Sequence, residues 1–508
     1  MKRAKKPTFI VELPLAVTLG DERILLARFE SARRLYNAVL GEGLRRQKLM
    51  GESKRWQAAK ELRDKDERSK EFKQLCSDYS FTSASLSSFG TNCKNAARWD
   101  TLLGAHDTQK ISERAFNALE QYGYGKRGRP RFKGKNRPIH SVESKSNVSG
   151  IRWQKDCRVI KWNGLVIPAM IAPNDHWQHE ALMQPTKYCR IVWRNMRGKR
   201  RWYVQLMQEG MSPREEDYHV AFGKVVGLDV GPSTVAVVSQ DTADLVSFCP
   251  TVEQPWKKMR RLQRKMDRSR RATNPDCFNP DGTWKKGARQ KVFSSRYKSI
   301  RSELSEVERV LASERKRSHG EMSNAILSHG NIIQSERLSY RAFQKRYGRS
   351  VKRRAPAMFM NLLKRKAESA GGEFRELDTQ KLKLSQYDHL TGSYEKKPLS
   401  CRWHSLGDGS GIVQRDVYSA FLARCVLNDQ HHPATITTLW TAQEPVLRRA
   451  GWLKTKSASG IPAGIPTVHP SEWIVRRRRL AVGHGPDDVA AMREPGNPNG
   501  FAFRTPRL

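Results

Sequence analysis

The stretch VVGLDVGPSTVAVVS, residues 225–239, decides how the second half of the chain folds. Residues 225–230 form a β-branched apolar run that contains a single acid, Asp229. A Gly-Pro-Ser turn at 231–233 follows, and a second apolar run resumes at 235–238. An acid inside a buried strand is costly unless it is paired or binds a metal. This pattern leaves a structural, turn-capping role and a metal-binding role equally open, and further acids in matching positions would favour the second.

The charge of the chain indicates a polyanionic partner. Its 508 residues are enough for two or more domains, and 94 Lys and Arg against 51 Asp and Glu give a net charge of +43. Such an excess repels itself unless nucleic acid neutralises it, in an enzyme or in a binding protein without chemistry. The basic residues are spread along the whole chain, which disfavours a membrane-surface protein. No run of 18 apolar residues predicts a membrane span.

The cysteines and the N-terminus predict a cytoplasmic setting. None of the eight cysteines forms a CxxC pair, so the sequence predicts neither a disulfide framework nor an intact four-cysteine zinc site. The start MKRAKKPTFIVEL is basic but lacks the long apolar segment and cleavage site of a secretory signal. A reducing compartment fits both observations.

The first 222 residues predict a β-barrel interrupted by helices. A strand at 8–19, broken at Pro14, precedes an amphipathic helix at 22–49, and helical segments continue to about residue 121. Further strands are predicted at 151–153, 159–162, 165–167, 188–193 and 202–206. The last two are joined by a charged hairpin tip at 194–201. The early strand and the later strands are expected to share one barrel.

A basic loop, GYGKRGRPRFKGKNR at 123–137, separates the helices from the later strands. Its seven cations and the aromatic side chain of Phe132 suit contacts with a nucleic-acid backbone and a packing anchor. The alternative is a solvated linker. The candidate nucleic-acid contacts in this loop are Arg127, Arg129, Arg131 and Lys133.

A second basic segment, WKKMRRLQRKMDRSRR at 256–271, predicts a helix with one thin apolar face. Met259, Leu262 and Met266 recur at helical spacing, and nine of the sixteen residues are basic. A helix lying along a nucleic-acid duplex is favoured over a merely solvated face. The candidate contacts are Lys257, Lys258, Arg260, Arg261, Arg264 and Lys265. A packing helix is expected next, from the spacing of Ile300, Leu304, Val307 and Leu311.

Two further acids follow in settings that match Asp229. Glu336 closes a short predicted strand that begins at residue 331, and Asp416 lies in the first turn of a predicted helix at 414–426. Alone, Asp416 could simply complement the helix dipole. As the third acid of a series it is a candidate metal ligand. A helix at 354–368 and an extended segment at 371–374 separate the two acids, and a flexible basic tail is predicted at 457–508.

Taken together, these segments resemble the TnpB family of transposon-encoded RNA-guided nucleases and its compact type V CRISPR descendants, over roughly residues 8–426. The motifs that carry the resemblance are RRLYNAVL (33–40), GRPRFKGK (128–135), LQRKMDR (262–268), NPDGTWKKG (279–287), QSERLSYRAFQK (334–345), RAPAMFMNLLKRKAESAGG (354–372), KLSQ (383–386) and QRDVYSAFLA (414–423). Their occurrence in the family's order is more specific than any single motif.

The resemblance implies a bilobed, multidomain α/β protein with a split RuvC nuclease domain of the RNase H-like type. Asp229, Glu336 and Asp416 would be its catalytic acids and would hold two Mg²⁺ ions. Partners would be a guide RNA, alone or with a trans-acting RNA, and double-stranded target DNA bearing a short flanking motif. The implied domains are a wedge barrel (1–19 and 123–222), a helical recognition domain (20–122), RuvC parts I to III (223–255, 323–384 and 413–428), basic and packing helices (256–322), a flap (385–412) and a C-terminal extension (429–508).

The flap departs from the family pattern. Relatives carry a four-cysteine zinc ribbon between KLSQ and the last acid, but here the expected cysteine positions read YDHLTG (387–392) and SLGDGS (405–410). Cys401 and His404 form a CxxH with His389 upstream, which is a candidate for a reduced zinc site. Because Cys401 lies in the spacer rather than at a ligand position, the sequence favours a metal-free, degenerate zinc-ribbon-like flap.

Three functions remain open from the sequence. The first is a Mg²⁺-dependent RNA-guided DNA endonuclease, favoured as a compact CRISPR effector over a transposon-associated nuclease because the flap departs from the transposon pattern. The second is a guide-dependent DNA-binding repressor with weak or no cleavage. The third, least favoured, is a guide-free structure-specific nuclease. The number of copies that bind one guide is not encoded in these motifs.

Overall fold

The computed structural model describes residues 7–134, 137–213, 219–253, 255–290, 292–398, 401–454 and 467. The chain is a mixed α/β protein that divides into two compact units, Met1–Glu215 and Glu216–Leu508. The predicted tail at 457–508 lies, apart from Thr467, outside the described residues. Within the described ranges, no helix has the length and apolarity needed to cross a membrane.

The first unit begins with a strand and a group of helices. The helices are α1 (Leu19–Glu52), α2 (Lys54–Glu61), α3 (Lys65–Asp78), α4 (Ser83–Ala96), α5 (Ala105–Gly123) and, later in the chain, α6 (His176–Met183). Thr18 and Asp21 form a capping box that starts α1. The predicted apolar stripe of α1, including Leu25, Leu35 and Val39, is fully buried in the core of this unit.

The strands of the first unit form two sheets. They are β1 (Thr8–Pro14), β2 (Ser141–Glu143), β3 (Arg152–Gln154), β4 (Val159–Trp162), β5 (Leu165–Pro168), β6 (Thr186–Met196) and β7 (Lys199–Glu209). One sheet has the order β1-β7-β6-β2 and the other β3-β4-β5. β1 pairs antiparallel with β7 from Thr8↔Glu209 to Pro14↔Tyr203, so the first strand joins later strands as predicted.

The predicted closed barrel is wrong, because both sheets are open in the described residues. β1 and the three-residue β2 are the edges of the four-stranded sheet, and the two sheets are joined by one isolated bridge, Leu15↔Ala169. A barrel requires every edge to pair continuously. The alternation of apolar and polar residues identifies a strand but does not encode which of its edges is paired. The alternation therefore could not show whether the sheet closes into a barrel.

The hairpin between β6 and β7 is tighter than predicted. The ladder continues through Arg194↔Arg201 to Met196↔Lys199, which leaves Arg197 and Gly198 as the turn. Both have positive φ, 52° and 78°, as a type I′ turn requires. The charged residues of the expected eight-residue tip therefore lie mostly on paired strands.

The second unit is built on a five-stranded sheet. Its strands are β8 (Val225–Val230), β9 (Thr234–Val238), β10 (Ala243–Ser247), β11 (Ile332–Glu336) and β12 (Glu373–Leu377), in the order β10-β9-β8-β11-β12. β8, β11 and β12 run parallel, whereas β9 is antiparallel to β8 and to β10. The carboxyl ends of β8 and β11 therefore lie at one edge of the sheet.

Helices cover this sheet and connect its strands. They are α7 (Trp256–Thr273), α8 (Ser295–Leu327), α9 (Tyr340–Arg354), α10 (Pro356–Ser369), α11 (Thr379–Leu382), α12 (Arg415–Cys425) and α13 (Pro433–Arg449), with a 3₁₀ turn at Pro275–Cys277. Met259 and Leu262 of α7 share the core with Ile300, Leu304 and Leu311 of α8. The two apolar spacings that the sequence offered are thus packing faces of these helices.

The chain beyond the last acid also joins this unit. β13 (Trp403–Ser405), β14 (Ile412–Gln414) and β15 (Leu453–Lys454) form a three-stranded sheet. Trp440 and Leu447 of α13 are buried in the same core cluster as α12. The indole nitrogen of Trp452 donates to the carbonyl oxygen of Ala243 at 2.9 Å. Residues 433–454 of the predicted C-terminal extension are therefore part of this folded unit.

Candidate active site

Asp229 and Glu336 lie side by side on neighbouring parallel strands. The register of β11 against β8 runs from Ile332↔Val225 to Ser335↔Leu228, and the next residue on each strand is the acid. Paired positions of a sheet point to the same face. Both carboxylates are half-buried at the carboxyl edge of the sheet, while Leu228 and Val230 on the opposite face are buried.

The third acid, Asp416, is brought to this edge by α12. The helix crosses β8 at Gly227, where a β-carbon would overlap the carbonyl oxygen of Ala420 and lie 2.5 Å from the backbone nitrogen of Arg424. Only glycine permits so close an approach. At the start of the helix, the buried side chain of Gln414 accepts a hydrogen bond from the backbone nitrogen of Val417 at 2.7 Å. Asp416 thus lies in the first turn, as predicted.

The three carboxylates interact electrostatically. Burial raises the pKa of Asp229 well above its ordinary value, and the negative charges of Asp416 and Glu336 raise it further against the opposing charge of Arg415. Burial also raises the pKa of Glu336, although the backbone nitrogen of Leu384 donates to its Oε1 at 3.3 Å. Like charges are therefore concentrated at this edge of the sheet.

Two arginines neutralise Asp416, and the sequence reading missed both. The Nη2 atom of Arg415 lies 3.2 Å from Oδ1 of Asp416, and Nη1 of Arg402 lies 3.7 Å from Oδ2. Arg415 is nearly buried and also donates to the carbonyl oxygen of Cys401 at 3.1 Å. Arg402 is almost half exposed. The adjacency of Arg415 and Asp416 in QRD was the signal for the first; Arg402 carried no local signal.

The donor chemistry of this site fits a divalent cation. Carboxylate oxygens are the ligands that Mg²⁺ prefers, and a cation would relieve the repulsion that raises the pKa of Asp229. In the described residues, however, no three His, Cys, Asp or Glu side chains are grouped closely enough to hold a metal ion. The three acids interact electrostatically, but their carboxylates are not close enough together to bind one metal ion. Asp416 contacts arginine instead.

The flap is organised around a buried carboxylate, Asp388. Its Oδ2 accepts a hydrogen bond from the backbone nitrogen of Gly407 at 2.9 Å and faces Nε2 of His404 at 3.3 Å, and its Oδ1 accepts from the backbone nitrogen of Leu390 at 2.9 Å. Burial pushes the pKa of Asp388 up, but these three hydrogen bonds outweigh it and lower the pKa to about 2. This network joins segments that a zinc ribbon would tie together with metal.

The three candidate zinc ligands have other partners. Nδ1 of His389 lies 2.6 Å from the hydroxyl oxygen of Tyr418, Nδ1 of His404 lies 2.7 Å from Nζ of Lys397, and the thiol of Cys401 donates to the carbonyl oxygen of Trp403 at 3.1 Å. Tyr418 is buried on α12 and stacks with His404, so it links the flap to the helix that carries Asp416. A zinc-free flap stays a prediction.

The basic loop of the first unit is partly pre-organised. The side chain of Asn37 on α1 bonds both the backbone nitrogen and the carbonyl oxygen of Lys133 at 2.8 Å, and Nη1 of Arg33 donates to the same oxygen at 2.6 Å. Arg127, Arg131 and Lys133 line a groove of about 720 Å³ together with Arg114 of α5. Arg129 is exposed and does not line this groove. Their contacts with nucleic acid stay predictions.

The candidates on α7 divide into two sets. Lys257, Arg260, Arg261 and Arg264 line an open groove of about 880 Å³ along the helix. The groove is also lined by Trp256, Arg268 and Arg271, which the sequence reading did not single out. Lys258 instead lies 3.5 Å from Glu303 of α8, and Lys265 is half-buried. Of the six candidate residues on α7, only the four that line the groove lie together on one face of the helix.

The sequence reading also missed α9, the helix that follows Glu336. It carries Arg341, Lys345, Arg346, Arg349, Lys352, Arg353 and Arg354. None of its residues is buried, and the few apolar positions at helical spacing, Phe343, Tyr347 and Val351, lie among seven cations. Its C-terminal end is tied to the loops of the five-stranded sheet, because the hydroxyl of Ser350 donates to the carbonyl oxygen of Pro232 and Nε of Arg354 donates to that of Phe248 at 2.6 Å.

Comparison with known proteins found similarity only among solved structures. No protein-family model matches the chain, and no curated protein matches it. One similar structure is a cryo-EM Cas12f1–sgRNA–target DNA complex, with 11% identity and a TM-score of 0.40, covering 82% of this chain and 98% of that one. Another is a cryo-EM CRISPR–Cas12f ternary complex, with 14% identity and a TM-score of 0.24, covering 80% and 82%.

Proposed function

We propose that this protein is a Mg²⁺-dependent, RNA-guided DNA endonuclease that cleaves phosphodiester bonds at Asp229, Glu336 and Asp416. The observation that carries the proposal is the electrostatic coupling of three carboxylates that come from the ends of two parallel strands and the start of a helix. A stable fold gains nothing from such repulsion, so a cluster of this kind favours a functional site.

The side chains have distinct parts in this proposal. Asp229 and Glu336, fixed by the sheet, would hold one side of a divalent cation pair, and Asp416 would complete the ligand set once its carboxylate leaves Arg415 and Arg402. When bound, Mg²⁺ would supply an activated water and stabilise the leaving oxygen. The two arginines would then be free to neutralise the phosphate that is being cleaved.

Guide RNA and target DNA are proposed as partners from the motif resemblance and the charge. A net charge of +43 requires a polyanion, and the cations of the basic loop and of α7 lie on two open grooves. In the proposed architecture base pairing supplies sequence specificity, while the protein binds the backbone of the duplex and a short flanking motif. A compact CRISPR effector and a transposon-associated nuclease share these requirements, and an adjacent repeat array or transposon ends would distinguish them.

The test is plasmid cleavage by the protein with its co-purified RNA and Mg²⁺. Asp229→Ala should abolish cleavage while target binding persists. The matched control is Asp241→Ala, which removes an exposed aspartate of the same unit whose partner is Lys224 at 3.2 Å. Equal cleavage by the wild type and Asp229→Ala, or absence of cleavage by both when the target is bound, would rule the proposal out. Sequencing the co-purified RNA would identify the guide.

A second candidate is a guide-dependent DNA binder that represses without efficient cleavage. One observation favours it: Asp416 is engaged by two arginines, and the described acids are not grouped at metal-ligand distances. This alternative predicts tight, guide-dependent binding that is unchanged by Mg²⁺ and by Asp229→Ala. Titrating Mg²⁺ during target binding and cleavage separates the two candidates.

A further inference from the structure

Trp256 stands at the start of the α7 groove. Its side chain is 41% exposed, although tryptophan is among the residues that folding most favours burying. The opposite face of the helix, with Met259 and Leu262, is buried against α8, so Trp256 is not needed for that packing. An exposed indole at the end of a cationic groove is a surface on which a base can stack.

The cations of the groove continue from this indole along one face of the helix. They are Lys257, Arg260, Arg261, Arg264, Arg268 and Arg271. The acid on this face, Asp267, is paired with Arg270 at 2.9 Å. Residues four apart rise by about 6 Å along a helix, which is close to the spacing of neighbouring phosphates on one strand. The face therefore suits a single run of phosphates.

The indole is linked through α9 to the turn that follows Asp229. The ammonium group of Lys352 on α9 is 5.7 Å from the centre of the Trp256 ring. Two residues earlier, the hydroxyl of Ser350 donates to the carbonyl oxygen of Pro232, in the turn that directly follows Asp229 and β8. A strand bound along α7 would thus be led towards the carboxylates.

We propose that Trp256 stacks against an unpaired base of a DNA single strand whose phosphates lie along the cationic face of α7. This assignment rests on the proposed function for its choice of DNA and deepens it. A duplex cannot use the indole in the same way, because the faces of its bases are already stacked on one another. The structure therefore assigns a single strand to a helix from which the sequence predicted duplex contacts.

The test is equilibrium binding of fluorescent oligonucleotides to the full-length protein in EDTA, where no cleavage intervenes. The probes are an oligodeoxythymidylate about 12 nucleotides long, an abasic strand of the same length, a duplex and an oligouridylate. Trp256→Ala should weaken binding of the oligodeoxythymidylate about tenfold and leave the abasic strand and the duplex unchanged, whereas Trp256→Phe should keep most of the affinity.

Two controls separate stacking from charge and from folding. Phe222→Ala removes another exposed aromatic side chain of the same unit and should change nothing. Arg264→Ala should weaken all four probes and reduce the slope of log affinity against log salt by about one. Thermal unfolding of each variant should match that of the wild type.

Three results would overturn the assignment. Unchanged affinity of Trp256→Ala for oligodeoxythymidylate would show that the indole does not bind a base. An equal loss on the abasic strand would mean that the contact is with the backbone. A loss confined to oligouridylate would assign the site to RNA and not DNA. Because these measurements need no metal, they can fail while the cleavage test succeeds, and the reverse.

Discussion

Two carboxylates of the second unit, Asp229 and Asp388, are held in opposite ways. Burial and two neighbouring acids raise the pKa of Asp229, whereas His404 and two backbone nitrogens satisfy Asp388 and lower its pKa to about 2. A buried carboxylate whose hydrogen bonds are all made stabilises the fold. A carboxylate beside other negative charges stabilises it only when a cation is bound. We expect this difference to separate the acids of this unit that stabilise the fold from those proposed to take part in cleavage.

The largest effect is expected from neutralising one acid of the crowded group. Glu336→Gln should lower DNA cleavage by about 10³-fold, because several kcal/mol of metal-dependent stabilisation depend on each carboxylate. Asp388→Asn, measured beside it at a temperature where both variants are folded, should retain cleavage within about tenfold. Single-turnover cleavage of a bound target measures both. Comparable losses in the two variants would remove the distinction between the sites.

The same pair of sites should respond to substitution with opposite changes in stability. Asp388→Asn should lower the free energy of unfolding by about 3 kcal/mol, since it breaks a buried, hydrogen-bonded pair with His404. Asp229→Asn, in metal-free buffer, should raise it by about 1 kcal/mol because it removes a repelled charge. Urea unfolding followed by fluorescence measures both changes. A loss of stability in Asp229→Asn would contradict the view that this carboxylate is electrostatically strained.

The Asp388 pair should also show itself in the pH dependence of stability. Its folded pKa lies below the unfolded value, so its contribution is present above about pH 4 and is lost as the pH falls towards about 2. The stability difference between wild type and Asp388→Asn should therefore shrink by about 1 kcal/mol from about pH 6 to about pH 3. Urea midpoints across this range test it. A difference that stays constant would mean that the hydrogen bonds do not depend on ionisation.

The smallest effect is expected at Arg402, which connects the two regions through its 3.7 Å contact with Asp416. Arg402→Ala should change unfolding by less than about 1 kcal/mol, because the guanidinium is half exposed. It should lower the Mg²⁺ concentration for half-maximal cleavage by about two- to fivefold, since a competing cation is gone. Arg365→Ala, an exposed arginine of α10, is the matched control. A raised Mg²⁺ requirement would show that Arg402 does not compete for Asp416.

The sequence predicted where the three acids lie in the fold, for a physical reason, and their role stays a prediction. Asp229 and Glu336 end apolar strands, and Asp416 begins a helix with an apolar face, so each acid interrupts a strong local pattern. The parallel pairing that brings the first two together follows from the helices between them. The mutual repulsion of the acids has no local pattern, and only the structure revealed it.

Other features were missed because they depend on distant partners. The hydrogen bonds of Asp388 come from residues up to 19 positions away, and Arg402 meets Asp416 only after β13 and β14 pair. α9 was missed although Phe343, Tyr347 and Val351 recur at helical spacing, because seven cations dominate its sequence. The prediction of a closed barrel was wrong. Whether a strand has an unpaired edge depends on the whole sheet and not on the sequence of that strand.

The docking of α12 on Gly227 has a consequence for the order of events during synthesis. α7 ends at Thr273, whereas Asp416 and the strand that completes the flap sheet emerge more than a hundred residues later. At ribosomal speeds of about 5–20 residues per second, this delay is on the order of ten seconds. A nascent chain therefore acquires its cationic grooves first and its third carboxylate last. Under the proposed function, the nascent chain would bind its nucleic acid before it could cleave any.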